Sequence, residues 1–313
     1  MTAFLHAVRV FFDDLASVGW GFLILALALH FTRLLLRGVA WRTILQASYP
    51  GHRIPFLTVF GAYVVGVGIN SIAPARAGDL VKLYLVKQRM PYASYATLAP
   101  TLIMETLFDF FVAGGLMIWV LTIGVLPTHE VYSRLPSVDW GFFVRHDEAT
   151  AIGILIALAA GTIAFIVFLE KGTAFRERLM RGFAILHQPK RLLVGVILPQ
   201  AASWVLRIAA LFYFLKAFHV RATLHNALLA QVVDSLSTLF PATPGGAGTK
   251  QGLIVFLFQG EAISKSLLLA FSVGANIAIV VFNVVVGAIA LYLMARTLSW
   301  KRLRAAQAEE QAT

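Results

Sequence analysis

The sequence predicts an all-α integral membrane protein, arranged as an inverted-repeat helical bundle with two re-entrant helical hairpins. Hydrophobic residues make up 59% of the 313 residues and charged residues only 13%, whereas soluble domains carry about a quarter. Several uncharged runs exceed the roughly 20 residues that cross a bilayer as a helix. A motif containing Pro and Gly occurs twice, with the two copies separated by a fixed offset along the chain.

Five apolar runs have the length and composition of complete spans, and they are Gly19–Leu36, Leu98–Leu126, Ala149–Leu169, Leu192–Leu215 and Leu267–Ala295. Residues 1–18 place apolar side chains at helical spacing, which predicts an interfacial amphipathic helix rather than a cleaved signal peptide. Two further apolar stretches, Phe56–Ala75 and Asn226–Phe240, lead directly into the Pro and Gly motifs.

The charges between the spans predict the orientation. The net charge is +3 in Arg37–Pro55 and in Arg76–Tyr95, −2 in Pro127–Glu148, and +4 in Glu170–Arg191 and in Arg296–Arg304. If both extra apolar stretches are re-entrant, every strongly basic loop is cytoplasmic, and the acidic loop and the N-terminus are outside. Seven plain spans are the alternative.

The total net charge of +11 comes from basic residues between the hydrophobic runs. It therefore indicates anionic lipid, and not nucleic acid, as the partner.

An internal repeat supports this topology. A shift of 170 residues aligns Pro74-x-x-Ala77-Gly78 with Pro244-x-x-Ala247-Gly248, and Leu36-Arg37 with Leu206-Arg207. The predicted units are a first repeat (19–126), an external loop with a connecting span and a basic cytoplasmic loop (127–191), a second, inverted repeat (192–298) and a polar cytoplasmic tail (299–313). Inverted repeats with interrupted helices are typical of transporters with a site near the bilayer midplane.

The two motifs favour a site for phosphate. Asp79 and Thr249 are suitable N-cap residues for the short apolar stretches that follow. Each hairpin would then present free N–H groups and a positive helix end, and Arg76, Lys82 and Lys250 would add full charges. The alternative is that the glycines only permit tight turns while the cations reach lipid headgroups.

Charged residues inside the predicted spans need partners or water. Arg37 and Arg207 occupy equivalent positions in the two repeats. Glu105 and Asp109 are four residues apart and so share one helix face. They could carry protons for coupled transport or neutralise one of the arginines, and Asp234 is a further candidate partner.

Several kinds of chemistry have no support in the sequence. There is no cysteine, which excludes disulfides and thiolate metal sites. The eight histidines show no metal-ligand spacing, and no phosphate-binding loop of the nucleotide-hydrolase type is present. Asp13-Asp14 resembles the acidic pair of membrane glycosyltransferases only weakly. We therefore expect no metal, no cofactor and no enzymatic activity.

The two motifs, Asn70-x-x-x-Pro74-x-Arg76-x-Gly78-Asp79 and Pro241-x-x-Pro244-Gly245-Gly246-x-Gly248, resemble the paired signatures of the lysylphosphatidylglycerol synthase transmembrane (flippase-like) family. Leu36-Arg37 and Trp41-Arg42 resemble a further element of that family. Gln251 stands where many members have Glu, and we expect no lipid lysylation because the soluble aminoacyl-transferase domain of the fused members is absent. The candidate substrate-binding residues are Asn70, Pro74, Arg76, Gly78, Asp79, Lys82, Pro244, Gly245, Gly246, Gly248, Thr249 and Lys250.

The resemblance implies a protein that moves an anionic lipid, or a lipid-linked polyprenyl or glycerophospho intermediate, between leaflets. The expected location is the cytoplasmic membrane of a prokaryote. A separate enzyme would make the lipid, and the sequence leaves a homodimer open. The alternatives are a secondary transporter of a small soluble anion and a non-catalytic membrane assembly subunit.

Overall fold

A computed structural model describes residues 17–73, 76–122, 173–239, 249–258 and 263–310. These ranges contain helices and no strands, which confirms the all-α prediction. In chain order the α-helices are α1 (Trp20–Ser48), α2 (Phe56–Ile72), α3 (Ala77–Arg89), α4 (Tyr95–Thr122), α5 (Thr173–Gly182), α6 (Pro189–Ala217), α7 (Leu224–Leu239), α8 (Thr249–Leu257) and α9 (Lys265–Glu310).

Four helices in the described ranges are long and apolar enough to cross a membrane: α1, α4, α6 and α9. They match four of the five predicted spans, and the fifth, Ala149–Leu169, lies outside the described residues together with residues 1–16. The predicted end of the first span at Leu36 is wrong, because α1 continues to Ser48. Its buried face continues through Trp41 and Leu45, so Arg37 lies inside the helix and not in a basic loop.

The helices of the two halves follow the same order, with a long helix, a two-helix segment and a second long helix (α1–α4 and α6–α9). The leading helices α1 and α6 pack along each other in opposite directions. At one end the Gly19 amide donates to the Ala217 carbonyl at 2.8 Å, and at the other Arg191 Nη2 donates to Gln46 Oε1 at 2.9 Å. This antiparallel pair is what an inverted repeat requires, and the orientation of each half in the membrane stays a prediction.

Helices α2 and α3 form a tightly packed hairpin. A side chain at Gly78 would place its Cβ 2.0 Å from the carbonyl oxygen of Gly66, so only glycine fits at this crossing. Small residues at such crossings let helices in membranes approach closely. In this hairpin Gly78 therefore permits close helix packing, whereas its neighbour Pro74 lies outside the described residues.

The predicted N-cap of α3 is wrong. The helix begins at Ala77, with Arg76 as its cap residue in the left-handed conformation (φ 56°), and Asp79 lies in the first turn. The side chain of Asn70 explains the shift, because its Oδ1 accepts the Gly78 amide at 2.7 Å and caps the helix from α2. As an acidic residue in the first turn, Asp79 still interacts favourably with the positive end of the helix dipole.

Two hydrophobic clusters lie at opposite ends of α1. One contains Leu34, Trp41 and Leu45 with residues of α2, α3 and the far end of α9. The other contains Leu23 and Ala26 with residues of α6, α7, α8 and the near end of α9. Both clusters contain residues of both halves of the chain, and the charged residues of α1 lie near the junction of the two clusters.

Candidate functional site

Arg37 of α1 lies at the centre of a group of buried charges. Its Nη1 and Nη2 donate to the two carboxylate oxygens of Asp109 at 2.7 and 2.6 Å, in the bidentate geometry that makes such pairs strong. Nη2 also donates to Glu105 Oε1 at 2.6 Å, and Nε donates to the Tyr63 hydroxyl at 2.8 Å. The structure thus shows the Arg37 ion pair that the sequence left as one of two readings for the α4 carboxylates.

Lys82 of α3 is drawn into the same group. Its Nζ lies 3.2 Å from Glu105 Oε2 and 3.9 Å from Asp79 Oδ1, and it sits over the rings of Trp41 and Tyr63 at 4.6 and 4.8 Å. The residue is only 3% exposed, so in this conformation its charge faces carboxylate and aromatic partners. The first-half cluster is defined as Arg37, Lys82, Glu105 and Asp109.

A second group of charges joins α6, α7 and α8. Asp234 lies 2.5 Å from Lys250 Nζ and 3.7 Å from Arg207 Nη2, measured to its two carboxylate oxygens. The exposed fractions of these side chains are 16% for Asp234, 15% for Lys250 and 24% for Arg207. We call these three residues the second-half cluster, in which Asp234 pairs with both Arg207 and Lys250.

Trp204 connects the two clusters. Its indole Nε1 donates to Asp109 Oδ1 at 2.8 Å, and the guanidinium carbon of Arg207 lies 5.0 Å from its ring centroid. A continuous chain of contacts therefore runs from the first hairpin to the second. Its members, in order, are Lys82, Glu105, Arg37, Asp109, Trp204, Arg207, Asp234 and Lys250.

Sequence reasoning missed two residues beside this network. Arg33 precedes Arg37 by one helical turn and lies within electrostatic range of both Arg37 and Arg207. Its Nε is buried and has no hydrogen-bond partner among the described residues. His30 lies one turn earlier and hydrogen-bonds Asn283 Oδ1 of α9 at 2.9 Å. The available signal was the series His30, Arg33 and Arg37, whose successive spacings of three and four residues place them on one face of a span.

The remaining candidates fall into two sets. Asn70 and Asp79 hydrogen-bond each other at 3.2 Å within the first hairpin, while Arg76 is exposed at the hairpin turn. Helix α8 begins at Thr249 itself. The second motif lies outside the described residues, with Pro244, Gly245, Gly246 and Gly248. Within the described ranges no group of three or more metal-ligating side chains occurs.

Buried charges shared between long apolar helices, beside two helical hairpins, define a multi-pass membrane protein with a polar centre. The sequence pattern of one family, described as the lysylphosphatidylglycerol synthase TM region, matches residues 3–287. The chain belongs to this family, which indicates a function related to membrane lipids. The family is the membrane region and not a catalytic domain.

Two archaeal relatives fit this assignment. A UPF0104 membrane protein of Methanothermobacter thermautotrophicus is 24% identical over 306 residues, which cover 86% of this chain and 82% of the relative. A protein of Haloferax volcanii named glycosyltransferase AglD is 38% identical over 96 residues, which cover 30% of this chain but only 14% of the relative. The likeness to the second protein is thus local.

Proposed function

We propose that the protein moves an anionic lipid, or a lipid-linked polyprenyl or glycerophospho intermediate, between the leaflets of a prokaryotic cytoplasmic membrane. The observation that carries this proposal is the network from Lys82 to Lys250. It joins both hairpins through the antiparallel helices α1 and α6, which supports a substrate site between the two repeats like that of inverted-repeat transporters. Charged residues inside spans are costly and mark substrate or ion pathways.

The apolar outer surface of the bundle fits a lipid substrate whose tails stay in the membrane. The spans carry many large apolar side chains on their outer surfaces, for example Ile24, Phe110, Val205 and Tyr292, each more than 60% exposed. A phosphate headgroup held in the polar centre could thus leave its tails in the surrounding hydrocarbon. A soluble anion gains nothing from that apolar surface.

The contacts of the hairpin lysines suggest how movement could be gated. Lys82 reaches from α3 to Glu105 on α4, and Lys250 reaches from α8 to Asp234 on α7. An anionic headgroup can compete with Asp234 for Lys250, and the contacts that connect the two clusters would then carry the change to Lys82 and Glu105. Binding energy that differs between the two arrangements is what shifts such an equilibrium.

Transbilayer movement in vesicles tests the proposal. Wild-type protein in phosphatidylcholine vesicles should carry fluorescent phosphatidylglycerol across the bilayer faster than fluorescent phosphatidylcholine. The Lys82→Met/Glu105→Gln variant removes one cation and one carboxylate together and leaves the Arg37–Asp109 pair. We expect it to fold and to move the anionic lipid at least tenfold more slowly, which corresponds to about 1.4 kcal/mol.

Lys87→Met is the matched control, because Lys87 lies on the same helix but donates to the Pro91 carbonyl outside the network. It should move lipid at the wild-type rate. No movement of any lipid by folded wild-type protein would contradict the proposal. Uptake of free phosphate without lipid movement would favour the secondary transporter of a small anion.

A further inference from the structure

The two charge clusters differ in their balance. In the first-half cluster, two cations face two carboxylates, and every charged group has an opposite partner within 3.2 Å. In the second-half cluster, Arg207 and Lys250 share the single carboxylate of Asp234. One positive charge is therefore left over on that side.

Arg33 adds a second uncompensated charge. No hydrogen bond or ion pair within the described residues involves its guanidinium, and its Nε is buried. The nearby cations Arg37 and Arg207 repel it. Asp109 and Asp234 lie within electrostatic range, but each is bound by other cations and neither forms an ion pair with Arg33 in the described residues. A buried cation without a counter-ion is expensive at membrane depth, so the position calls for an anion.

The repeat explains why this charge has no partner. The shift of 170 residues that pairs Arg37 with Arg207 pairs Arg33 with Ser203. Ser203 is buried and donates its hydroxyl to the Gln200 carbonyl of its own helix at 2.9 Å. Arg33 is thus a cation that one half has and the other lacks, and within the described residues no carboxylate of either repeat forms an ion pair with it.

We propose that Arg33, Arg207 and Lys250 form an anion site that receives a phosphate group, while the first-half cluster remains internally neutral and does not contact the ligand. Two uncompensated positive charges suit an oxyanion with at least two oxygens. An Arg guanidinium binds such oxygens in pairs, and Lys adds a point charge. The site rests on the proposed function only for its source of phosphate, which we take to be a lipid headgroup.

Binding measurements test the site. Purified protein in neutral phosphatidylcholine nanodiscs is titrated with dihexanoylphosphatidylglycerol and, separately, with inorganic phosphate. Arg33→Gln should weaken the binding of the short-chain lipid by about tenfold to a hundredfold, the usual effect of losing a charged hydrogen bond. Lys250→Gln should weaken it similarly, because Arg207 still pairs with Asp234. The exposed Arg53→Gln is the matched control and should bind like the wild type.

Thermal unfolding without ligand separates a ligand-binding role from a structural one. Because Arg33→Gln removes an unpaired charge, its Tm should equal or exceed that of the wild type. A lower Tm would overturn the site, as would wild-type affinity in both Arg33→Gln and Lys250→Gln, or no binding of either probe by the wild type.

Two outcomes distinguish the site from the proposed function. If inorganic phosphate binds as tightly as the lipid and depends equally on Arg33, the site is supported and its lipid source is overturned. If the wild type binds the lipid through Arg33 but moves no lipid in vesicles, the site is again supported while the proposed function fails.

Discussion

The first-half and second-half clusters contain the same kinds of side chain but differ in exposure and in charge balance. In the first, Arg37, Lys82 and Glu105 have side chains no more than 8% exposed, Asp109 is 30% exposed, and charge is balanced. In the second, the side chains of Arg207, Asp234 and Lys250 are each about two to six times more exposed than those of Arg37, Lys82 and Glu105. Cations also outnumber carboxylates there. A neutral buried group holds helices together, whereas an unbalanced accessible group can bind a ligand.

The hairpins show the same contrast. In the first, Gly78 brings α3 against α2 so closely that no side chain fits. In the second, a Cβ added at Gly252 of α8 would meet no atom of the described residues within 4 Å. The repeat shift pairs Gly252 with Lys82, so the second hairpin has open space where the first has a buried ion pair. We infer that the first half is the fixed part and the second half the adaptable part.

The largest expected effect follows from Glu105→Gln. Glu105 is 3% exposed and is shared by Arg37 and Lys82, so its loss leaves a buried cation without a counter-ion. We expect the free energy of unfolding to fall by about 3–5 kcal/mol, measured by denaturation in detergent. Adding Lys82→Met should recover part of the loss, because charge balance returns. If Glu105→Gln alone were as stable as the wild type, the first-half cluster would not hold the helices together.

A backbone test gives the next effect. Gly78→Ala forces a Cβ against the Gly66 carbonyl, and because backbone must move we expect a loss of about 3 kcal/mol, the upper part of the usual range for overpacking. Gly252→Ala is the control in the second hairpin, where the space is open, and it should be neutral or stabilise α8 by about 0.5–1 kcal/mol. Equal losses at both positions would contradict the proposed difference between the hairpins.

Asp234→Asn probes the second-half cluster. It leaves Arg207 and Lys250 without their ion-pair partner, and we expect a loss of about 2 kcal/mol, since these groups are partly accessible to solvent. Anionic lipid should replace the missing charge, so the Tm gain on exchanging phosphatidylcholine for phosphatidylglycerol nanodiscs should be larger than in the wild type. Glu105→Gln should show no such extra gain, and the same gain in both variants would remove the distinction.

The sequence predicted the parts of this arrangement that depend on local spacing. The apolar runs located α1, α4, α6 and α9. The separation of four residues placed Glu105 and Asp109 on one face, and the family motifs identified the chain. These features depend only on the length of an apolar helix, on its period and on the cost of burying charge in a membrane.

Long-range packing decided what the sequence could not. Lys82 was expected to face a phosphate, but a tertiary contact with α4 directs it to Glu105. The cap of α3 comes from Asn70, on the neighbouring helix and not at the helix start. Arg33 lies within the predicted span Gly19–Leu36, but that it forms no ion pair with the described residues becomes visible only once the helices around it are placed.

The smallest expected effect concerns the link between the halves. Trp204→Phe removes the hydrogen bond from Nε1 to Asp109 and keeps an aromatic ring beneath Arg207. Asp109 retains its bidentate contact with Arg37 and is 30% exposed, so water can replace the lost donor and the loss should be about 1 kcal/mol. If the link transmits ligand binding to the first hairpin, dihexanoylphosphatidylglycerol should bind Trp204→Phe with near wild-type affinity while transbilayer movement slows severalfold. A variant that loses binding and movement in equal proportion would place Trp204 in the anion site itself, because the two clusters would then act as one.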